Sequence, residues 1–164
     1  MSIYLISDPA DKINFGLWVK ELKELFQPHG LLVTAAVSAS TKIIDAGYDV
    51  KELALHLDYL NLMSYDFHGS WEQVTGHNSP LFSCDGDKLN TDTAVKHWIS
   101  KGFPASKIQM GLGIYGRSFT LTNPDINGIG APASGGGAAG MILLNDREVE
   151  TFFIKQLLNH ELTS

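Results

Sequence analysis

Three short, nearly unbroken apolar runs constrain what this chain can become: Leu31–Val37 (LLVTAAV), Leu60–Met63 (LNLM) and Ile108–Tyr115 (IQMGLGIY). A run that is apolar throughout, instead of at every second position, suits a strand buried on both faces, as in a parallel sheet. Each run follows a stretch with helical spacing. In the first, Asp8 is placed to cap free amides and Pro9 suits the first helical position. Phe15, Trp18, Val19, Leu22, Leu25 and Phe26 then recur at three- and four-residue intervals until Pro28 and Gly30 stop the helix. Asp49-Val50-Lys51-Glu52 resembles a capping box and starts a short helix through about Leu57. Asn90 caps a third helix, which carries Ala94, Val95, Trp98 and Ile99 on one face and ends at Lys101-Gly102. Trp18 is assigned to core or inter-helix packing instead of a ligand platform, and Trp98 to the core. Helix–strand alternation, repeated in this way, predicts an α/β fold with parallel pairing and right-handed crossovers.

Chemistry gathers where the second run ends. Leu60–Trp71 reads LNLMSYDFHGSW, an apolar strand that turns abruptly into Ser64, Tyr65, Asp66, His68 and Trp71. Two readings stay open on composition. Barrels of parallel strands build their sites this way, because strand ends are rigid and the loops after them face the ligand. A core strand entering an ordinary turn capped by Asp66 and Gly69 would look the same. The loop that follows, Glu72–Leu89, is rich in Gly, Asn, Asp and Ser and exceeds the usual connection length. Thr120–Gly140 reads as an irregular excursion rich in Gly, Pro, Asn and Ala. A last helix, capped by Asn145 or Asp146, would carry Val149, Phe152, Phe153 and Leu157 on its apolar face.

Composition narrows the partners. A net charge of −6 and a pI near 5.4 oppose a nucleic-acid surface, which needs clustered Lys and Arg. An acidic chain bearing aromatics is compatible with a neutral polar ligand such as a sugar. The single Cys84 makes no internal disulfide and anchors no metal cluster. No apolar run approaches the roughly 18 residues that would span a membrane. Met1–Ser7 is too short and uncharged for an export signal, and reads as a leftover strand or a false start.

Several tempting motifs fail on mechanism. Gly111-Leu-Gly113-Ile-Tyr-Gly116 has dinucleotide-binding spacing, but the residues after it look extended instead of opening a helix over a pyrophosphate. Gly135–Gly140 has no Lys-Ser or Lys-Thr after it, so it is no phosphate loop and reads as flexible. His68 and His77 lie nine apart without a clear third ligand, a poor zinc site. No Gly-x-Ser-x-Gly elbow occurs. Glu72 could serve as an acid, though a Glu in such a loop is more often simply solvated.

Met63–Trp71 (MSYDFHGSW) with Val74–Pro80 (VTGHNSP) closely resembles family 18 glycoside hydrolases, specifically arthropod and other animal chitinases. Leu31–Ser38, Ile44–Asp49, Gly111–Phe119 and the Gly-rich Ile129–Gly140 are similar to that family in the same order. The resemblance implies a partial (β/α)₈ TIM barrel holding strands five to seven with their helices, over residues 1–116. Residues 117–164 would begin the α+β insertion that deepens the cleft. Chitin or chitooligosaccharides would be the partner, with no cofactor and no metal, and the setting would be extracellular.

Family 18 enzymes cleave β-1,4-linked N-acetylglucosamine with retention, the sugar's own acetamido oxygen attacking the anomeric carbon. By resemblance, Tyr65 and Asp66 are the catalytic pair present here. Tyr65 would donate its hydroxyl to the acetamido oxygen and Asp66 would bind beside the scission point. Ala36, Met63, Trp71, Tyr115 and Arg117 would line the substrate cleft, Trp71 as an apolar platform. The family's proton donor is a Glu in an Asp-x-x-Asp-x-Asp-x-Glu motif, and no Asp-x-Asp-x-Glu occurs in these 164 residues. The expectation is a chitinase fragment that binds and does not turn over. Its alternatives are a non-catalytic chitin-binding or signalling relative, and a product that folds poorly.

Overall fold

The computed structural model describes residues 9–83 and 86–143. Met1–Ser7, the Asp8 cap, Cys84 and the helix expected after Asn145 lie outside the described residues. The fold is a mixture of helix and strand in two compact units. One takes the chain up to Met63 together with Asp92–Gly111; the other takes Ser64–Thr91 and the chain from Leu112 on.

The first unit is built on three parallel strands in the order β1 (Thr34–Ser38), β2 (Tyr59–Met63), β3 (Ile108–Met110). Thr34 pairs with Tyr59 and Ser38 with Met63, while Leu60 pairs with Ile108 and Leu62 with Met110. Helix α1 (Pro9–Phe26) precedes β1, α2 (Thr41–Gly47) and α3 (Val50–His56) connect β1 to β2, and α4 (Thr91–Ser100) lies between β2 and β3. The Asp49 side chain accepts from the Glu52 amide at 3.1 Å, as the capping motif requires. At the other end of α3, Lys107 Nζ donates to the Ala54 and Leu57 carbonyls at 3.0 and 2.9 Å, which a helix C-terminus would otherwise leave open.

Val37, Ile44, Leu53, Leu57, Leu60, Leu62, Trp98 and Phe103 form the fully buried core. A relay of rings, Phe15 to Tyr48 to Trp98 to Phe103, crosses it with centroids 5.9, 5.2 and 5.9 Å apart. Ser38, the last residue of β1, is held by two of these rings. Its carbonyl accepts from Trp98 Nε1 at 3.1 Å and its amide donates to the Tyr48 hydroxyl at 3.2 Å. Asp58 ties the other end of the sheet: it pairs with Lys23 at 2.6 Å and accepts from the Val33 amide at 2.7 Å. Burial alone would raise the Asp58 pKa, but the bonds from Lys23 and Val33 outweigh it and hold the carboxyl below its usual range.

Several sequence expectations need correction here. The strand expected over Leu31–Val37 begins only at Thr34. The Leu31 amide still bonds the Phe26 carbonyl as the chain leaves a short 3₁₀ turn, Gln27–His29, and Leu31 and Leu32 are exposed. Trp18, expected in core or inter-helix packing, is 57% exposed together with Ile13, Leu17 and Leu25 on the same helix, whereas Trp98 is 0% exposed. Ile99 is likewise exposed. Helix α2 was not legible at all.

The strand expected over Ile108–Tyr115 is two strands. The parallel ladder closes with the Gly111 amide on the Leu62 carbonyl at 2.9 Å, and Tyr115 opens a different sheet. Between them Gly113 passes so close to its neighbours that a Cβ there would stand 3.1 Å from Tyr65 Cβ and 3.2 Å from Ser79 Cβ.

The second unit rests on an antiparallel ribbon of β4 (Tyr115–Leu121) and β5 (Ala133–Leu143). So the stretch expected to be irregular is a strand from Ala133 on, while residues 122–132 lie in neither strand. Glycine and alanine have little β-propensity of their own, and the pairing with β4 supplies the order. The long loop after β2 carries no helix or strand among its described residues, yet is tied to the connection between β4 and β5. Val74 bridges to Pro132, and the Thr75 hydroxyl donates to the Gly128 carbonyl at 2.6 Å.

Equal-sized truncations separate the two helix tryptophans. Trp98→Ala removes a fully buried ring and a hydrogen bond and should destabilise the chain by about 3–5 kcal/mol in urea unfolding. Trp18→Ala should stay within about 1 kcal/mol of the parent.

Candidate functional site

The candidate site lies in the second unit, where the segment after β2 meets β4. Asp66 is its pivot. It is the only non-glycine among the described residues with positive φ, at 58°, a conformation that costs an L-residue of the order of 1 kcal/mol. The strained backbone aims the carboxylate at β4. There one oxygen, Oδ1, accepts from the Tyr115 hydroxyl at 2.6 Å and from Arg117 Nε at 2.8 Å, with Arg117 Nη2 at 2.7 Å. Such charge-assisted contacts are roughly twice as strong as neutral ones. The second oxygen, Oδ2, has no hydrogen-bond partner among the described residues.

The charges follow from this arrangement. Burial and the bond to Asp66 push the Tyr115 phenol well above its ordinary pKa, so it is a fixed donor near neutral pH. The bond to Asp66 likewise raises Arg117. Arg117 also spans two rings, its Cζ lying 5.5 Å from the Trp71 centroid and 5.6 Å from that of Tyr115, within cation–π range. Tyr65 meets Tyr115 edge to face, centroids 6.0 Å apart. The Tyr65 hydroxyl has no partner among the described residues and is left to solvent or a ligand. Trp71 is 59% exposed, as a ring that offers a surface must be. Gly69 sets its place: a Cβ there would stand 2.4 Å from the indole ring.

Thus Tyr65, Asp66, Trp71, Tyr115 and Arg117 come together. Ala36 and Met63 belong to the other unit: Ala36 is exposed on β1 opposite Asn61, and Met63 is half-buried at the end of β2 opposite Ser38. Asn78 was missed as a supporting residue. Its Oδ1 accepts from the Asp66 amide at 3.1 Å, its Nδ2 donates to the Tyr115 carbonyl at 2.8 Å, and its carbonyl accepts from the Phe67 amide at 3.0 Å. Only its place in the VTGHNSP motif hinted at a role.

Glu72, expected to be simply solvated, is half-buried and paired. His68 Nδ1 lies 2.9 Å from Glu72 Oε2 and Nε2 lies 2.7 Å from Asp87 Oδ2, so the imidazole clamps two parts of the long loop. All three line a hollow of about 210 Å³ with His77 and Phe82. Burial would lower the His68 pKa, but the bonds to Asp87 and Glu72 prevail and raise it. The Asp87 carboxyl, which burial would raise, is lowered on balance by the Leu89 amide and His68.

The sequence signature of the glycosyl hydrolases family 18 covers residues 3–159. This chain belongs to that family. Mouse chitotriosidase-1 is 46% identical over 146 residues, covering 82% of this chain and 32% of the mouse protein. Among solved structures, an immunomodulatory active chitinase of Trichuris suis superposes with a TM-score of 0.79 at 42% identity, over 85% of this chain and 43% of that one. Human YKL-39, described as a pseudo-chitinase with retained chitooligosaccharide binding properties, gives 0.76 at 44% identity, over 82% of this chain and 41% of that one. The chain therefore spans less than half the length of each of these relatives.

The clamp predicts a pH dependence. Because the folded state raises His68 above its unfolded value near 6.5, the protonated imidazole stabilises fully below about pH 6.5, and this contribution fades as pH rises through the folded-state value. The stability difference between the parent and His68→Gln, from urea midpoints, should be largest in weak acid and shrink above neutrality. A gap that widens with rising pH would contradict this.

Proposed function

We propose that this chain carries part of the chitin-binding cleft of a family 18 glycosyl hydrolase, seats an acetamido sugar, and performs no useful turnover by itself. One observation carries the reading: three donor contacts on Asp66 Oδ1 leave Oδ2 and the Tyr65 hydroxyl as an acceptor and a donor beside an exposed indole. A sugar offers hydroxyls and an N–H to the carboxylate, an acetamido oxygen to the phenol, and an apolar face to Trp71. In the family's substrate-assisted reaction, the Tyr65 hydroxyl would hold the acetamido oxygen in line with the anomeric carbon and stabilise the charge that develops there.

In this reading residues 1–116 belong to a (β/α)₈ barrel as its fifth to seventh strands, and residues 117–164 begin the α+β insertion. The three-stranded parallel sheet supports it. Such sheets are ordinarily covered on both faces and continued by further strands, yet β1 and β3 each pair on one side only among the described residues. Ala36 and Met63 would join the cleft in that assembled barrel, and an extracellular setting goes with the family. The missing step is protonation of the leaving oxygen, since no Asp-x-Asp-x-Glu lies in these residues. General acid catalysis typically contributes about 10²–10⁴-fold.

The similarity to a pseudo-chitinase that retains chitooligosaccharide binding favours a second reading, a lectin-like relative whose biological task is binding itself. Both readings place the glycan on the same residues. They part when a segment bearing the acid motif is fused ahead of Met1: turnover favours the enzyme, binding alone the lectin.

Two measurements test the shared claim. Titration with a chitooligosaccharide should show saturable binding, weakened roughly 3- to 10-fold by Trp71→Ala. Turnover of a fluorogenic chitooligosaccharide should be no higher than with Tyr65→Phe. Absent binding, or turnover well above that control, would overturn the proposal.

A further inference from the structure

Asp66 and Tyr115 lie 49 residues apart, yet a 2.6 Å hydrogen bond joins their side chains. Such a contact holds only if the two backbones beneath it are kept at a fixed spacing. Asn78 bridges them. Its carboxamide accepts from the Asp66 amide through Oδ1 and donates to the Tyr115 carbonyl through Nδ2. Its own backbone carbonyl takes the next amide, that of Phe67. Two of the three bonds meet the chain where Asp66 turns into the left-handed region, the conformation least able to hold itself, and the third reaches β4.

The chemistry selects the residue type. Of the short side chains, the carboxamide of asparagine pairs an acceptor with a donor in one plane. Aspartate would keep the acceptor and lose the donor, serine lacks the reach, and glutamine adds a methylene where space is short. The room is small: a Cβ on Gly113 would already stand 3.3 Å from Asn78 Nδ2. The next residue adds a second anchor, the Ser79 hydroxyl donating to the buried Ser64 carbonyl at 2.6 Å.

We infer that Asn78 is a positioning residue: it holds the Asp66 backbone in its left-handed turn and at the distance from β4 that lets Tyr115 and Arg117 converge on Oδ1, so that Oδ2 faces a ligand. The ligand half of this statement rests on the chitin-binding reading; the geometric half does not.

The test uses the full 164-residue chain, its Asn78→Asp and Asn78→Ala variants, and two readouts. The first is the Arg117 Nε–H resonance in a ¹H–¹⁵N correlation spectrum, assigned by its disappearance in Arg117→Lys. The second is titration with a chitooligosaccharide. In both variants the Arg117 resonance should shift and exchange faster with water while most backbone amides keep their positions. Binding should weaken about ten-fold, the factor that loss of a hydrogen bond carries. An Arg117 resonance unchanged in both variants would overturn the inference. So would its loss only together with the dispersion of the whole spectrum, because Asn78 would then be a general structural residue. If the parent binds no chitooligosaccharide, the functional reading fails, and the Arg117 signal still decides what Asn78 does.

Discussion

A single carboxylate oxygen bears three donor contacts, and the second unit is arranged around that fact. Asp66 Oδ1 collects the Tyr115 hydroxyl and two nitrogens of Arg117, which joins the segment after β2 to the start of the antiparallel ribbon. The guanidinium held there covers the faces of two aromatic rings. A partly buried negative charge with paired partners costs far less than one left alone, so removal of either donor would leave Asp66 incompletely compensated. The positive φ at Asp66 is the conformational cost of the arrangement, and the bonds from Asn78 offset it locally.

The sheet unit is governed by different physics. Its three strands are short, and their register places the buried Val37, Leu60 and Leu62 on one face, so that burial and not turn chemistry fixes the pairing. The ends are secured by polar contacts to buried or half-buried partners: Trp98 and Tyr48 hold Ser38, and Asp58 holds Val33. Both partners of the Asp58–Lys23 pair are largely shielded, so it carries more weight than a surface pair such as Lys96–Asp92.

Much of this was legible in the sequence, and the failures have physical reasons. The alternation of helical spacing with apolar runs gave the parallel strands, and the capping signal at Asp49 marked the start of α3 to the residue. Periodicity in α1 could not show which side would be covered, because Trp18 and Val19 sit on neighbouring stripes and only contacts from elsewhere decide between them. The apolar run from Ile108 to Tyr115 hid a change of sheet, since composition is blind to which neighbour supplies the hydrogen bonds. β5 was hidden for the converse reason: its glycines and alanines carry no strand signal, and pairing with β4 makes the strand. In the site, Tyr65, Asp66, Trp71, Tyr115 and Arg117 came from family resemblance and do meet in space, whereas the bracket formed by Asn78 and the clamp around His68 depend on partners 12 and 19 positions away.

The three tryptophans give the chain an optical vocabulary of its own. Trp98 is sealed from water and donates to a backbone carbonyl, so its emission should be blue and indifferent to quenchers in solution. Trp18 and Trp71 are more than half exposed and should emit to the red, but among the described residues only Trp71 lies against a guanidinium. A glycan laid on that indole would change the light from one fluorophore and leave the other two as internal references, so occupancy of the cleft could be followed without a label.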